Sequence, residues 1–385
     1  MEQRRFSGKS HWYHETQSSA RQHQTLPLVP EAARVEDHFL LDLSLPADVI
    51  EACRRWLLPA RKLYGLLFPQ RVTVNRLRTL SNYDRLSTAL TVAQVYGVQR
   101  LCNHYAARLA PLPGPDSSRE SNRRLAQITQ YARQLAASPD VIDARARQQL
   151  EDVGLTDYDI ILMTQIIGYV GFQARTVAGF QALNGQPVRL IPGMEMQQES
   201  AAAKFSEPQG QWIAGIDGVD QRIASTRQLE SLAAWQPLEA FRLLAPVLAH
   251  ESPVLDALGE IYSGARAEIL DDEVAGLIAL YSARINGSVH CFNESWQQWT
   301  GSDELAEAVR NGERVLKRLG QTRAKEGTLA EIVQVLTCAP DRFSATQFSS
   351  LLALGFAAPG AIGLVAWCAL CGWLNRLKIA LGDVA

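Results

Sequence analysis

Apolar residues recur at helical spacing along most of this chain. Residues 123–137, 140–153 and 156–183 carry them three and four positions apart, which predicts three successive helices. Thr156 followed by Asp159 gives the third a capping-box start. The pattern returns in the C-terminal half. The apolar run 274–281 predicts a helix that stops near Gly287, and Ser344 with Gln347 repeats the capping signal ahead of 348–354. Between these stretches, Pro111-Leu112-Pro113-Gly114-Pro115-Asp116 predicts a rigid loop. Residues 184–222, rich in Gly, Gln, Ser and Pro, predict a linker with a short strand at 187–191, and residues 1–38 form a polar arm. From Phe343 to Leu374 no residue is charged. Ser, Gln, Gly and Pro divide that run into two short helical pieces with a turn at 355–359, which favours a buried hairpin over a membrane span.

The pattern also repeats itself. A slide of 201 positions places Ser138-Pro139-Asp140 on Ala339-Pro340-Asp341, Gly154 on Gly355, and Gly171-Phe172-Gln173-Ala174-Arg175 on Gly372-Trp373-Leu374-Asn375-Arg376. A slide of 190 places the helix that ends at Gly97 on the one that ends at Gly287. The second copy therefore holds about eleven extra residues between its anchors, a length that a surface loop absorbs at little cost. Two copies of one helical domain account for both matches. The boundaries expected are an arm at 1–45, a first domain at 46–184, a linker at 185–225 and a second domain at 226–385. Two domains also suit the length of 385 residues.

Composition narrows the function classes. A net charge of −2, with dispersed Lys and Arg, gives no field to gather nucleic acid or an anionic membrane. Six scattered cysteines and an N-terminus without an apolar signal core predict a cytoplasmic protein with reduced thiols. No Gly-rich loop leads into Lys-Ser, and no Gly-x-Ser-x-Gly elbow is present, so no nicotinamide, flavin or nucleotide cofactor is expected. His11, His14 and Glu15, grouped around Trp12 and Tyr13, lack the further ligand a metal site needs; an aromatic arm that docks on another subunit is the expectation.

The chemistry concentrates in one turn. The apolar helix is followed by Arg284-Ile285-Asn286-Gly287, then Ser288-Val289-His290-Cys291, and about 80 residues later by Gly372-Trp373-Leu374-Asn375-Arg376-Leu377. This pattern resembles the carboxymuconolactone decarboxylase and alkylhydroperoxidase D-like superfamily, over most of residues 46–385 and more strongly in the second copy. The resemblance implies an all-α fold of two tandem domains of that type, assembled as a homo-oligomer. Peroxidases of the family use a Cys-x-x-Cys pair with a nearby His and Glu that relay protons. Here Cys291 matches the second Cys, while Ser288 stands in place of the first, Ser295 in place of the His, and the Glu position falls near Gly276. In the first copy Val98 and Leu101 occupy the Cys positions and Tyr105 the His position; Cys102 and His104 lie one residue out of register.

The residues also have a physical reading of their own. A thiol at a helix start, beside His290 and the hydroxyls of Ser288 and Ser295, gains from the helix dipole and local hydrogen bonds. Glu294, four residues after His290, faces it on a helix and can trade a proton with it, or raise the thiol pKa by like-charge repulsion. The plainer alternative is an inert buried Cys291. Cys102 and His104, two apart, point to different sides of a helix and favour structural roles. Cys368 and Cys371 share a helix face in the most apolar segment, where packing is the first expectation; either becomes a resolving thiol if that helix meets the Cys291 turn. Arg175 and Arg376 can bind a carboxylate or hold helix ends.

Three functions follow. The first is a thiol-dependent, peroxidase-related oxidoreductase with Cys291 as nucleophile, a small oxidant as substrate and an external thiol as reductant. The second is a decarboxylase-like enzyme or binder that acts on an acidic metabolite. The third is a catalytically inactive structural or regulatory oligomer.

Overall fold

In the computed structural model the described residues are 30–188, 196–206, 211–269 and 271–384. The His11 to Glu15 group and most of the strand expected at 187–191 lie outside them. The first half holds α1 (Ala47–Ala52), α2 (Arg54–Leu67), α3 (Asn82–Tyr96), α4 (Gln99–Leu109), α5 (Arg119–Ala137), α6 (Ala144–Glu151) and α7 (Asp157–Leu183). The second holds α8 (Thr226–Trp235), α9 (Ala245–Leu248), α10 (Ser252–Ala267), α11 (Asp272–Asn286), α12 (Val289–Gln297), α13 (Asp303–Asn311), α14 (Glu313–Gly320), α15 (Ala324–Cys338), α16 (Ala345–Ala353) and α17 (Ala358–Leu381). The fold is all-α. Among the described residues the strands are β1 (Trp212–Ala214) and β2 (Gly382–Val384), an antiparallel pair that registers Trp212 with Val384.

Local signals set the helix ends. Thr156 with Asp159 and Ser344 with Gln347 form capping boxes, each closing two otherwise unpaired N–H groups. The helix expected at 140–153 starts later, at Ala144. Pro139–Val141 instead form a 3-10 turn, and the Asp143 carboxylate accepts from the Ala146 N–H at 2.9 Å. α5 begins earlier than its apolar spacing suggests, because the Ser118 hydroxyl caps it by accepting from the Ser121 N–H.

The long helices α7 and α17 are buried on nearly every side, which is why their sequences lack a polar stripe. Both are long and apolar enough to cross a bilayer, yet 100% and 83% of their most apolar windows are buried within the protein. They pack mainly on each other, and α2 packs on α10, so one continuous apolar core spans both halves.

Two arginines tie the halves together. Arg175 of α7 donates from Nη1 to Gly171 O at 2.9 Å and from Nη2 to Thr337 O, at the end of α15, at 2.8 Å. Arg376 of α17 mirrors it, with Nη1 on Gly372 O at 2.9 Å, Nη2 on Ala136 O at 2.8 Å and Nε on Leu135 O at 3.0 Å. Each guanidinium thus satisfies the orphan carbonyls at the C-terminus of the other half's helix and meets the negative end of its dipole. Both are only 1% exposed, and Tyr96 lies against both, its ring centroid 4.4 Å from Arg175 Cζ and 5.8 Å from Arg376 Cζ. Burial alone would raise the Tyr96 phenol pKa, but the two cations outweigh it and hold the phenol below its usual value. Arg376 therefore holds a helix end. Replacing it with Met takes both guanidinium donors from the buried end of α5 and leaves Ala136 O with the Tyr96 hydroxyl at 3.3 Å. Chemical denaturation should show Arg376→Met destabilised by about 3 kcal/mol, whereas Arg222→Met, at an 88% exposed side chain, should leave the midpoint in place.

Candidate functional site

The turn singled out in the sequence forms a corner between the halves. α11 ends at Gly287 in the left-handed conformation, φ 76°, and a Cβ there would fall 2.5 Å from Cβ of Asp140, which belongs to the first half's Pro-Asp turn. Gly97 ends α3 in the same way, φ 67°, against Asp341 of the second half's turn. Each helix stop therefore packs against the Asp that belongs to the opposite half.

Cys291 sits in the first turn of α12 and is 8% exposed. Ser288 caps the helix in backbone position but gives it no side-chain bond; its hydroxyl is buried near Cys291, as is the Asn375 amide, and both favour the ionised sulfur. Ser295 lies one turn further along α12, half-buried, and Ser288 is the hydroxyl that serves the sulfur. His290 Nε2 lies 3.1 Å from Glu294 Oε1, the proximity expected of residues four apart. Lys378 of α17, 2% exposed, brings its Nζ to 3.6 Å from the same oxygen. Burial works to raise the Glu294 carboxyl, but His290 and Lys378 outweigh it and keep the group a carboxylate. For the Cys291 thiol the balance goes the other way. Burial first and Glu294 second push its pKa above the usual thiol value, against the pull of Lys378, Ser288 and Asn375. The resting sulfur is a protonated thiol, and the helix start does not make it a standing thiolate.

A cavity of about 130 Å³ opens beside Ser288, His290 and Lys378. Trp212 of β1 forms part of its wall, fixed by an Nε1 hydrogen bond of 2.8 Å to Lys378 O and lying 5.2 Å beneath the Lys378 ammonium. The strand pair that carries Trp212 is braced by Arg147 of α6, which donates to Asp383.

The other sequence candidates separate. Cys371 lies within electrostatic reach of both Cys291 and Cys368, and all three are free buried thiols whose pKa values burial raises. Cys368 Sγ lies 3.8 Å from both Ser282 Oγ and Thr337 Oγ1. His104, 1% exposed, faces inward: Nδ1 donates to Ala32 O at 2.7 Å, and Nε2 accepts from Tyr64 Oη at 2.8 Å. The Tyr64 oxygen in turn accepts from Arg108, which fixes the direction of every proton in the row. Cys102 lies half-buried on the same helix.

Asn375 and Lys378 are the residues that sequence reasoning misses. Asn375 stands inside the repeated Gly-x-x-x-Arg stretch, and that position is the one signal that points to it. It completes a polar chain through the core: Arg376 Nη2 to Gln197 Oε1 (3.2 Å), Gln197 Nε2 to Asn286 Oδ1 (3.0 Å) and Asn286 Nδ2 to Asn375 Oδ1 (2.9 Å). No protein-family model matches the chain, and no curated protein matches it.

His104 provides a test of its own. Burial is the main cause that pushes its pKa down to about 4, below the 6.5 of an exposed imidazole. A base whose pKa is lowered by folding leaves the unfolded chain to bind the proton first. Stability is therefore present in full above pH 6.5 and is lost as pH falls towards 4, by about 3 kcal/mol. Between those pH values the unfolding free energy of the wild type should fall by that much more than that of His104→Gln; parallel falls would show that the imidazole is not held neutral.

Proposed function

We propose that the Cys291 corner is a single-thiol redox site that reduces a small oxidant of the peroxide class. The observation that supports this best is the set of groups near one sulfur: a buried hydroxyl without a hydrogen-bond partner, an amide, and a half-buried carboxylate poised between an imidazole and an ammonium. Of the two halves' helix-stop corners, this is the one with a thiol in the helix's first turn, which agrees with the resemblance to alkylhydroperoxidase D-like proteins.

In this reading Glu294 draws the proton from the Cys291 thiol, and the sulfur attacks the nearer oxygen of a peroxide. An S–O bond forms, the O–O bond breaks, and the proton returns through His290 to the departing oxygen, which leaves as water or an alcohol. Sulfur is oxidised to a sulfenic acid as the peroxide is reduced. An external thiol then attacks the sulfenic sulfur, releasing water and leaving a mixed disulfide; a second thiol frees Cys291 and carries away the disulfide. Cys371 is the internal alternative to the first of those thiols. The same reading takes the halves as two copies of one alkylhydroperoxidase D-like helical unit, supported by the parallel order α2 to α7 and α10 to α17 and by the exchanged arginine caps. It places the protein in the cytoplasm as a homo-oligomer, without a nucleic-acid or membrane partner.

The raised thiol pKa sets the kinetic signature. Below that pKa the thiolate fraction grows tenfold per pH unit, so sulfenic acid formation at Cys291 under hydrogen peroxide should climb steadily from pH 7 to 9. Cys291→Ala should abolish peroxide-dependent thiol oxidation. Turnover that survives this substitution, or a rate that is flat across the pH range, would contradict the assignment in favour of an inert buried cysteine.

A further inference from the structure

We infer that the larger cavity, at the first-half corner, is a binding site for a small molecule that carries a protonated amine on an apolar body. The cavity holds about 440 Å³, within the range of small-molecule pockets and more than three times the space beside Ser288. It lies at the start of α4, walled by Val98, the end of α7 at Gln181, and Asp341 and Phe343 from the second half.

The two corners share a frame, and their differences say what the open one lacks. At the Cys291 corner Asp140 has a cation, with Lys204 Nζ 3.3 Å from Oδ2 and 3.1 Å from the Asp140 carbonyl oxygen. At the α4 corner Asp341 occupies the matching place on Gly97, yet among the described residues it forms no ion pair. The Asp341 carboxylate, half-buried at the cavity, has the backbone N–H groups of Asp341 and Arg342 and the nearby Arg342 charge, but among the described residues no cation bound to it, and an ammonium delivered by a ligand would supply one. The space differs as well. β1 and Trp212 wall the Cys291 corner, while the cavity at α4 is lined by Val35, Leu41 and Val98. These side chains fit an alkyl or aromatic body.

His104, whose ring reaches this cavity, has both nitrogens engaged inward, so the pocket binds without acid–base chemistry. Arg100, the cation in the wall, is held by its Nη1 bond to Leu41 O at 2.9 Å.

The test uses the full chain with hexylamine and hexanoate as probes of equal length and opposite charge, by calorimetry and thermal shift at about pH 8, where the amine is protonated and a carboxyl ionised. Hexylamine should bind saturably and raise Tm, with hexanoate at least tenfold weaker. Asp341→Asn should weaken hexylamine by about tenfold or more. Gln181→Trp, which fills the cavity and leaves the carboxylate in place, should block it and keeps the test decisive if Asp341→Asn does not fold. Hexanoate binding as well as hexylamine, full hexylamine affinity in either variant, or no binding of hexylamine to the wild type would each overturn the inference. None of these outcomes depends on Cys291, so the two sites stand or fall separately.

Discussion

The exchanged arginine caps are the constraint on which the rest of the structure depends. A helix C-terminus buried in a core leaves carbonyls that must find donors, and α5 and α15 both end inside this molecule. Tyr96 of the same half gives Ala136 O one hydroxyl donor at 3.3 Å, and the guanidinium donors come from the opposite half. Arg175 serves Thr337 and Arg376 serves Leu135 and Ala136, so each helix is completed by a side chain from the opposite half. Two buried cations near each other are tolerated because carbonyl dipoles, the Tyr96 ring and its phenol surround them.

That exchange fixes both corners. With α5 and α15 anchored across the interface, the Pro-Asp turns that follow them are carried to the opposite half's helix stop. There Asp140 meets Gly287 and Asp341 meets Gly97. The same scaffold then supports two different contents. At one corner Lys378, stacked over Trp212, and Glu294 place opposite charges near a thiol. At the other a larger cavity lies beside the Asp341 carboxylate, which forms no ion pair among the described residues. The polar chain from Arg376 through Gln197 and Asn286 to Asn375 links the capping centre to the sulfur, so the position of Cys291 is tied to the interface and not to α12 alone.

Much of this frame is legible in the sequence because it is written in local terms. Thr156 with Asp159, Ser344 with Gln347, and the two glycines that stop α3 and α11 each answer to a requirement within a few residues. The pairing of His290 with Glu294 follows from helical spacing in the same way. What depends on distant partners is not legible. Gly171-x-x-x-Arg175 shows in the repeat that an arginine is needed, but not that it caps a helix 162 positions away. The direction of the Cys291 shift turns on the depth of burial and on Lys378, 87 residues downstream, neither of which a helix start reveals. The strand pair at 212–214 and 382–384 is three residues long on each side, too short for an alternating pattern to show.

If the arginine exchange makes the halves one cooperative unit, neither long central helix can open alone. Native-state hydrogen exchange of the α7 and α17 amides measures this directly. The account predicts that the most protected amides of both helices share a single opening free energy, equal to that of global unfolding. Protection of α7 that persists while α17 exchanges through a cheaper opening, or the reverse, would contradict it.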